Sequence, residues 1–286
     1  MHRRFKQVDV FTAAPFRGNP LAVVLDSAAL DAAAMQRFTD WTNLSEATFL
    51  SPPKSADADY AVRIFCPGRE LPFAGHPTLG SCHAWLEAGG KPRGEYIVQE
   101  CGVGLVRIRR DGPRLAFAAP PLKKTGPLHE DEVAVIAHGL GIARADIVAH
   151  AWCDNGPNWR GVLLKSAEQV LALKPDGQVL AGLDVGVVGP RSKVGVVAAR
   201  DAGQDTQFEV RAFFPGASGI AEDPVTGSLN AALAQWLIGS GVAPSRYVAA
   251  QGTALGRAGR VFVEQVGSDI WVGGGSVTVI DGTVQL

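Results

Sequence analysis

One pattern occurs twice in this chain of 286 residues. Residues 63–81 read RIFCPGRELPFAGHPTLGS, and residues 211–228 read RAFFPGASGIAEDPVTGS. Both copies begin with Arg-x-Phe-x-Pro-Gly and end with Gly-Ser before a long apolar run. Upstream, NPLAVVLDSAAL from Asn19 resembles NWRGVLLKSAEQVL from Asn158, so the similarity extends over much of each half. The alternative is a chance likeness of two Pro-Gly turns, but a similarity this long favours a duplicated domain.

The composition is that of a globular protein with a small-molecule partner. Hydrophobic residues make up 47% and charged residues 19% of the chain, which suits one large domain or two of ordinary size. The net charge of -1 argues against nucleic acid or an anionic membrane as a partner. No uncharged stretch is apolar enough to cross a bilayer, and Asp9 interrupts any signal peptide. We therefore expect a cytoplasmic protein, and the sequence leaves a homodimer open.

Each half is predicted to wrap short strands around one helix. Runs rich in β-branched and aromatic residues predict strands at 8–12, 21–25, 47–51 and 60–66, and the segment 29–42 has helical spacing. Helices beginning at Gly80 and Gly227 carry almost no charge, so we expect them to be buried on every side. Segments 103–120 and 259–274 are typical of hairpins, the first turning at Asp111-Gly112.

The predicted fold class is therefore α+β, with two similar domains from an internal duplication. We place them at residues 1–124 and 125–286, because the composition changes at 120–127 (PPLKKTGP). Each domain is expected to be a curled, barrel-like β-sheet around a buried central helix. The final strand is free to return to the first domain.

The two copies differ near the predicted helix starts, where His76 in the first matches Asp223 in the second. Helix starts favour anions, because their N–H groups are unpaired, and an adjacent glycine lets a ligand approach the backbone. If the halves face each other, both starts meet in one cleft, a usual place for a small-molecule site. We expect His76 and Asp223 to line that cleft. The alternative is that both are N-terminal caps of their helices.

A third candidate is Glu46, which lies between a predicted helix and a predicted strand. Ser45 and Thr48 are expected to hydrogen-bond its carboxylate, and the neighbouring apolar residues are expected to dehydrate it. Dehydration raises the pKa of a carboxylate, which suits a general acid or base near neutral pH. The alternative is an ordinary exposed glutamate at the boundary between two elements.

Five segments in order resemble the phenazine biosynthesis protein F family, which is typified by trans-2,3-dihydro-3-hydroxyanthranilate isomerase. The resemblance runs from Val8 to about Arg257 and is carried by VDVFTAAPFRGNPLAVVL, NLSEATF, ELPFAGHPTLG, EDPVTGSLNAAL and QGTALGR. It implies a diaminopimelate-epimerase-like fold, in which two similar domains each curl a sheet around a central helix. It also implies a site between those domains, and no cofactor.

The resemblance implies a role for each matching residue. Glu46 matches the glutamate that transfers a proton, while His76 and Asp223 match residues that contact the substrate and relay protons. Gly75, Gly227 and Ser228 match positions whose backbone or hydroxyl groups hold the substrate carboxylate. This sequence departs from the family pattern at Ala47, where threonine is common, and at Cys66, where a hydroxyl residue is expected.

Other chemistries fit the sequence less well. Racemases of this fold place a cysteine at the head of each central helix, whereas those heads read AGHP and EDPV here, so a two-thiol mechanism is not expected. The four cysteines form no CxxC pair, which is typical of reduced thiols. His83 and Glu87 share a helix face but lack a third ligand, so we expect no metal. Arg257 and Arg260 are expected on a strand edge in solvent.

The sequence thus predicts a cofactor-independent isomerase that moves a proton on a small carboxylate-bearing substrate. In this hypothesis His76 titrates near neutral pH and passes a proton, while Asp223 stays charged. The alternative is a small-acid binding protein of the same fold that does no chemistry.

Overall fold

The computed structural model describes residues 1–191, 205–216 and 219–286. The chain folds as two compact units. The first contains residues 1–118 together with 273–286, and the second contains residues 119–272. The segment 120–127 therefore lies at the start of the second unit, and the last strand of the chain belongs to the first.

The elements follow one another in a mixed order of strands and helices. The helices are α1 (Ala32–Thr42), α2 (Gly75–Glu87), α3 (Glu130–Leu140), α4 (Ala167–Ala172) and α5 (Gly227–Gly239). The strands of the first unit are β1 (His2–Val10), β2 (Asn19–Val24), β3 (Ala47–Ser51), β4 (Tyr60–Cys66), β5 (Arg69–Leu71), β6 (Ile97–Cys101), β7 (Gly104–Asp111) and β8 (Arg114–Ala118). The remaining strands are β9 (Ile147–Trp152), β10 (Arg160–Leu164), β11 (Val185–Pro190), β12 (Phe208–Gly216), β13 (Gly219–Asp223), β14 (Arg246–Gln251), β15 (Gly259–Val266), β16 (Asp269–Gly274) and β17 (Ser276–Gln285).

The strands of the first unit form a mixed sheet. β1 pairs antiparallel with β17 on one side and with β2 on the other, and β2 runs parallel to β3. β3 is antiparallel to β4, and β4 pairs antiparallel with β5 and parallel with β6. β6, β7 and β8 continue as an antiparallel meander. Gly112 adopts φ +59° in the turn between β7 and β8, which confirms the hairpin expected at Asp111-Gly112.

The second unit repeats this order of pairing. β9 is antiparallel to β10, β10 is parallel to β11, and β11 is antiparallel to β12. β12 then pairs antiparallel with β13 and parallel with β14, which is antiparallel to β15. Each unit also places a helix, α1 or α4, between its parallel strands, and another, α2 or α5, after its short strand. Among the described residues the strands form mixed sheets that are not closed, and the curled, barrel-like sheet around a central helix that the sequence suggested stays a prediction.

The hairpins β4–β5 and β12–β13 contain the same side-chain contacts, each within its own hairpin. Glu70 lies opposite Phe65 in the first and binds Arg63 through both carboxylate oxygens, at 2.6 and 2.7 Å. In the second, Glu222 lies opposite Phe213 and binds Arg211 in the same way, at 2.7 and 2.9 Å. Each guanidinium also lies over the phenylalanine two residues along its strand, at 5.1 and 4.8 Å from the ring centroid. The repeated Arg-x-Phe of the sequence thus forms the same local structure twice.

The helices α2 and α5 are thirteen residues long and bury their first two turns. Burial is continuous from Gly75 through Cys82 and from Gly227 through Ala234, while the last turn of each helix is partly exposed. The expectation of burial on every side was therefore wrong for the last turns. In α2 the last turn carries polar side chains. Glu87 forms an ion pair with Lys6 and accepts a hydrogen bond from Thr278, and His83 contacts both Glu87 and Thr278.

Two further details correct the sequence-based prediction. The first buried helix begins at Gly75, five residues before the expected Gly80, whereas α5 begins at Gly227 as expected. Pro77 is compatible with the earlier start, because a proline in the first turn of a helix gives up only an N–H that has no partner there. No described helix is long and apolar enough to cross a membrane.

Candidate functional site

The start of α2 brings three polar side chains of the first unit together. Nδ1 of His76 lies 3.6 Å from Oε2 of Glu46 and 3.4 Å from Nδ2 of Asn19. The side chain of His76 is 3% exposed and that of Glu46 is 16% exposed. The sequence therefore predicted correctly that Glu46 is shielded from solvent, and the alternative of an ordinary exposed glutamate was wrong.

The backbone of β1 and β2 fixes Asn19 at this place. Asp9, at the end of β1, is buried, and its Oδ2 accepts hydrogen bonds from the N–H groups of Arg17 (2.8 Å) and Gly18 (3.1 Å). A Cβ at Gly18 would lie 2.1 Å from the carbonyl oxygen of Val10, so the chain can return this closely only with glycine. As a result β2 begins at Asn19, whose side chain is fully buried beside His76.

Burial decides the charge of His76. It lowers the pKa of the imidazole to about 3, although the backbone of Pro20 favours the protonated form. His76 is thus neutral at physiological pH, and the expectation that it titrates near neutrality was wrong. Among the described residues, its Nε2 is buried without a hydrogen-bond partner.

Hydroxyl and amide groups hold α2 against its sheet just beyond His76. Ser81 donates to the hydroxyl of Thr48 at 2.9 Å, and Thr48 donates to the carbonyl of Ala22 at 3.4 Å. Thr78 accepts from the amide of Gln99 at 3.0 Å. Thr48 thus helps to anchor the helix, and its expected bond to Glu46 stays a prediction.

Cys66 lies near Glu46, and its thiol stays protonated. Burial is the main cause that raises the pKa of the Cys66 thiol, and the charge of Glu46 raises it further. The Cys66 thiol lies 3.6 Å from the carbonyl oxygen of Arg69. Because a protonated thiol is a poor nucleophile, this cysteine has no obvious chemical role at neutral pH.

The start of α5 is organised by a network around Asp223 and Gln251. Asp223 ends β13, and its Oδ2 accepts a hydrogen bond of 2.6 Å from the hydroxyl of Thr226. Gln251 is fully buried and contacts both the backbone and the side chain of Thr226. Its Oε1 accepts from the backbone N–H (3.0 Å), and its Nε2 donates to the hydroxyl (2.9 Å). Gln251 also donates to the carbonyl of Asp223 and accepts from Asn230.

Neither helix start is capped by a side chain. The N-cap residues are Ala74 for α2 and Thr226 for α5, so the alternative that His76 and Asp223 are N-caps was wrong. Alanine has no capping group, and the hydroxyl of Thr226 is directed to Asp223. The N–H groups of Gly75, in α2, and Gly227, in α5, are among those that an α-helix leaves without an internal partner. Such N–H groups suit an anion such as a carboxylate.

Ser228, the second residue of α5, is contacted from one loop of its own unit. The indole Nε1 of Trp159 donates to the Ser228 hydroxyl at 3.1 Å, and the amide of Asn155 donates to the Ser228 carbonyl at 2.8 Å. All three side chains are buried. Sequence reasoning missed Asn19, Asn155, Trp159 and Gln251. The likeness of the segments from Asn19 and Asn158 was the signal for the first and third, and the segment QGTALGR contained the last.

The strand register revises which residues of the two units correspond. Asp223 lies opposite Ala212, and the matching position in the first unit, opposite Ile64, is Leu71. His76 is the second residue of α2, which matches Ser228 in α5. His76 and Asp223 therefore do not occupy equivalent places, although the sequence aligned them.

The described residues contain no cluster of three or more histidine, cysteine, aspartate or glutamate side chains arranged to hold a metal ion. Arg260, a second candidate for anion contact, donates a hydrogen bond of 2.5 Å from its Nε to the carboxylate of Asp205.

The expectation of a cleft between the two halves stays a prediction.

Comparison with known proteins finds similarity over nearly the whole chain. Residues 8–282 match the family model described as phenazine biosynthesis-like protein. A Schizosaccharomyces pombe protein named antisense-enhancing sequence 1 is 36% identical, and the match covers 97% of each chain. The trans-2,3-dihydro-3-hydroxyanthranilate isomerase of Pseudomonas aeruginosa is 32% identical over 94% of this chain and 92% of its own. A crystal structure of a phenazine biosynthesis protein of the PhzF family from Enterococcus faecalis superposes with a TM-score of 0.78 at 26% identity, covering both chains fully.

Proposed function

Because this chain belongs to the phenazine biosynthesis-like protein family, we propose that it is an isomerase that moves a proton on a small carboxylate-bearing substrate. Its relatives in that family include proteins named isomerases. The observation that carries the proposal is the contact of 3.6 Å between Glu46 and the neutral, buried His76 at an uncapped helix start.

Glu46 is the proposed acid/base group. Its carboxylate takes a proton from a carbon conjugated with the substrate carboxylate, and the electron pair left behind delocalises towards that carboxylate. The same side chain, now protonated, returns the proton at another carbon, so that atoms and charge balance without a cofactor. A single group that alternates between base and acid is suited to a shift of this kind.

His76 has a positioning role in this proposal. A neutral imidazole is a weaker acid than an imidazolium, so His76 is not the group that protonates the substrate. It instead packs against Glu46 and contributes one ring N–H as a hydrogen-bond donor. Asp223 is held ready by Thr226 to contact a polar group of the substrate.

The anion-binding groups are the N–H groups at the starts of α2 and α5, with Gly75, Gly227 and Ser228 at their head. Charge gathers on the substrate carboxylate when the proton leaves, and fixed N–H donors stabilise that charge without reorganising. This supports a carboxylate as the substrate's recognised group.

We also propose that the two units descend from one duplicated domain, each with its helix, α2 or α5, at the centre of a sheet. Support comes from the equal order of strand pairing and from the two Arg–Glu pairs over phenylalanine rings. The duplication explains why the chain has two uncapped helix starts.

The test is solvent exchange. Wild-type protein and Glu46→Gln are incubated in deuterated water, first with trans-2,3-dihydro-3-hydroxyanthranilate and then with a panel of small cyclic amino and hydroxy acids, and deuterium incorporation is followed by NMR. We expect Glu46→Gln to lower the rate about 10²–10⁴-fold, because it keeps the shape and removes the base. Glu70→Gln is the matched control, since Glu70 is an exposed glutamate of the same unit.

Two results would contradict the proposal. Exchange by Glu46→Gln at the wild-type rate excludes Glu46 as the base. Binding without exchange across the whole panel identifies a small-acid binding protein instead.

A further inference from the structure

The hydroxyl of Ser228 has its hydrogen-bonding direction set by a neighbour. The indole N–H of Trp159 can only donate, so Ser228 Oγ must be the acceptor in their bond of 3.1 Å. A serine hydroxyl has one hydrogen to donate, and no described residue accepts it. The hydroxyl is therefore left as a donor towards whatever occupies the start of α5.

The loop that carries Trp159 is itself fixed. The N–H of Cys153 donates to the carbonyl of Trp159 at 2.8 Å, which closes the loop on itself. Asn155, within the loop, holds the carbonyl of Ser228 at 2.8 Å. The indole is 4% exposed, so its N–H has no access to bulk water as an alternative partner. Both contacts act on one residue, and the bond from Trp159 occupies one of the two lone pairs of the Ser228 hydroxyl.

We propose that Trp159 is a positioning residue that occupies one lone pair of the Ser228 hydroxyl, directs its O–H towards the start of α5 and thereby favours a carboxylate over its carboxamide. This rests on the proposed function in so far as Gly227 and Ser228 hold the substrate's acidic group. The N–H groups at the start of α5 and the Ser228 O–H all donate. An ionised carboxylate accepts at both oxygens, whereas the NH₂ of an amide would face mainly donors, with one Ser228 lone pair as an acceptor, and would lose hydrogen bonds.

Anthranilate and 2-aminobenzamide are a suitable pair of probes, because they differ only in this group. Their dissociation constants are measured by calorimetry for the wild type, Trp159→Phe, Ser228→Ala and the double variant. We expect wild type to prefer anthranilate, and Trp159→Phe to weaken anthranilate binding about three- to tenfold, as expected for one hydrogen bond. The preference over the amide should shrink as well, since the lone pair that Trp159 occupies becomes available to an amide N–H.

The double variant separates positioning from general damage to the fold. In the Ser228→Ala background, Trp159→Phe should change anthranilate affinity less than about twofold, because the hydroxyl that it orients is gone. Trp152→Phe is the control for loss of a tryptophan in the same unit, since that ring faces Lys124 and Arg160 instead. It should leave both affinities unchanged.

Three outcomes would overturn the role of Trp159. They are a wild type without preference for the carboxylate, a Trp159→Phe variant that keeps the full preference, and equal effects of Trp159→Phe with and without Ser228. The binding readout is independent of turnover. A protein that prefers anthranilate but catalyses no exchange refutes the isomerase and leaves this inference standing, whereas exchange without the preference does the reverse.

Discussion

The starts of α2 and α5 have the same backbone arrangement and different second residues. Each helix is thirteen residues long, begins with glycine, lacks a side-chain cap and buries its first two turns. In each, the second residue is contacted by a side chain at or just before the start of a strand, Asn19 in β2 for His76 and Trp159 before β10 for Ser228. One helix start thus presents an imidazole beside a carboxylate, and the other presents a hydroxyl donor. The difference teaches that one backbone framework can carry different polar side chains at the same place in the two units.

The comparison also answers why the repeated pattern has histidine in one copy and aspartate in the other. The two residues are not counterparts, because α2 begins five residues earlier than the aligned glycine predicts. In the structural register Pro72, not Pro77, corresponds to Pro224, and each lies two residues before its N-cap. The sequence alignment was therefore displaced by five residues at this point.

The largest difference that we expect between the units concerns their equivalent ion pairs. Arg211 and Glu222 are 7% and 12% exposed, whereas Arg63 and Glu70 are 40% and 41% exposed. Glu222→Gln should lower the free energy of unfolding by about 3–5 kcal/mol, because it leaves a buried guanidinium without its counter-charge. Glu70→Gln should cost about 0–1 kcal/mol, as for exposed pairs. Urea denaturation of both variants measures this, and equal losses would show that the two hairpins are energetically alike.

A second prediction sharpens the contrast between His76 and Ser228. The folded pKa of His76 is about 3, below its ordinary 6.5, so the unfolded chain takes up this proton first as the pH falls. The stability associated with the neutral ring is complete above pH 6.5 and is lost progressively down to about pH 3. At pH 4.5 the loss relative to pH 7 should be about 2–3 kcal/mol greater for wild type than for His76→Gln.

The measurement is the free energy of unfolding by denaturant at several pH values. Ser228→Ala is the matched control, because a hydroxyl does not titrate in this range and its pH dependence should follow that of wild type. If His76→Gln and wild type have parallel pH profiles, the ring is hydrated or already charged in the folded protein.

The smallest expected effect concerns how closely each helix approaches its sheet. A Cβ at Gly80 in α2 would lie 2.6 Å from Cδ2 of Leu21 and 2.9 Å from Cγ2 of Val10, whereas α5 has Ala232 at the same place in the helix. In the second unit the close contact comes from a strand glycine, since a Cβ at Gly186 would meet Leu229 at 2.2 Å. Close packing of the helix on its sheet therefore depends on a helix glycine in the first unit and on a strand glycine in the second.

Gly80→Ala should destabilise the protein by about 1 kcal/mol. Overpacking costs about 1–3 kcal/mol, and alanine recovers up to about 1 kcal/mol through its higher helix propensity. Thermal denaturation checks the sign against Ala232→Gly, which should destabilise by about 1–2 kcal/mol, because it lowers helix propensity and removes a buried methyl group. A stabilised Gly80→Ala variant would mean that α2 has room to move away from β1 and β2.

Much of the local structure was predictable because its causes are local. The strands at Ala47–Ser51 and Tyr60–Cys66 lie where β-branched and aromatic residues predict them. The helix expected over 29–42 starts at Ala32, because Asp31 caps it by accepting from the N–H of Ala34 at 2.7 Å. The start of α2 was missed because the Gly-Ser that precedes the second helix was taken as the guide to the first, whereas α2 begins at Gly75, five residues before the Gly80 that this alignment gave.

By itself the sequence determined the repeat, the α+β class, the family and the approach of Glu46 to a shielded position, because these follow from residue types and their spacing. Only the tertiary structure decided that His76 is neutral, that Asn19 and Trp159 contact the second residues of the two helices, and that His76 corresponds to Ser228. The physical reason is that desolvation and hydrogen-bond partners depend on groups distant in the chain. Asn19 lies 57 residues before His76, and Trp159 lies 69 residues before Ser228.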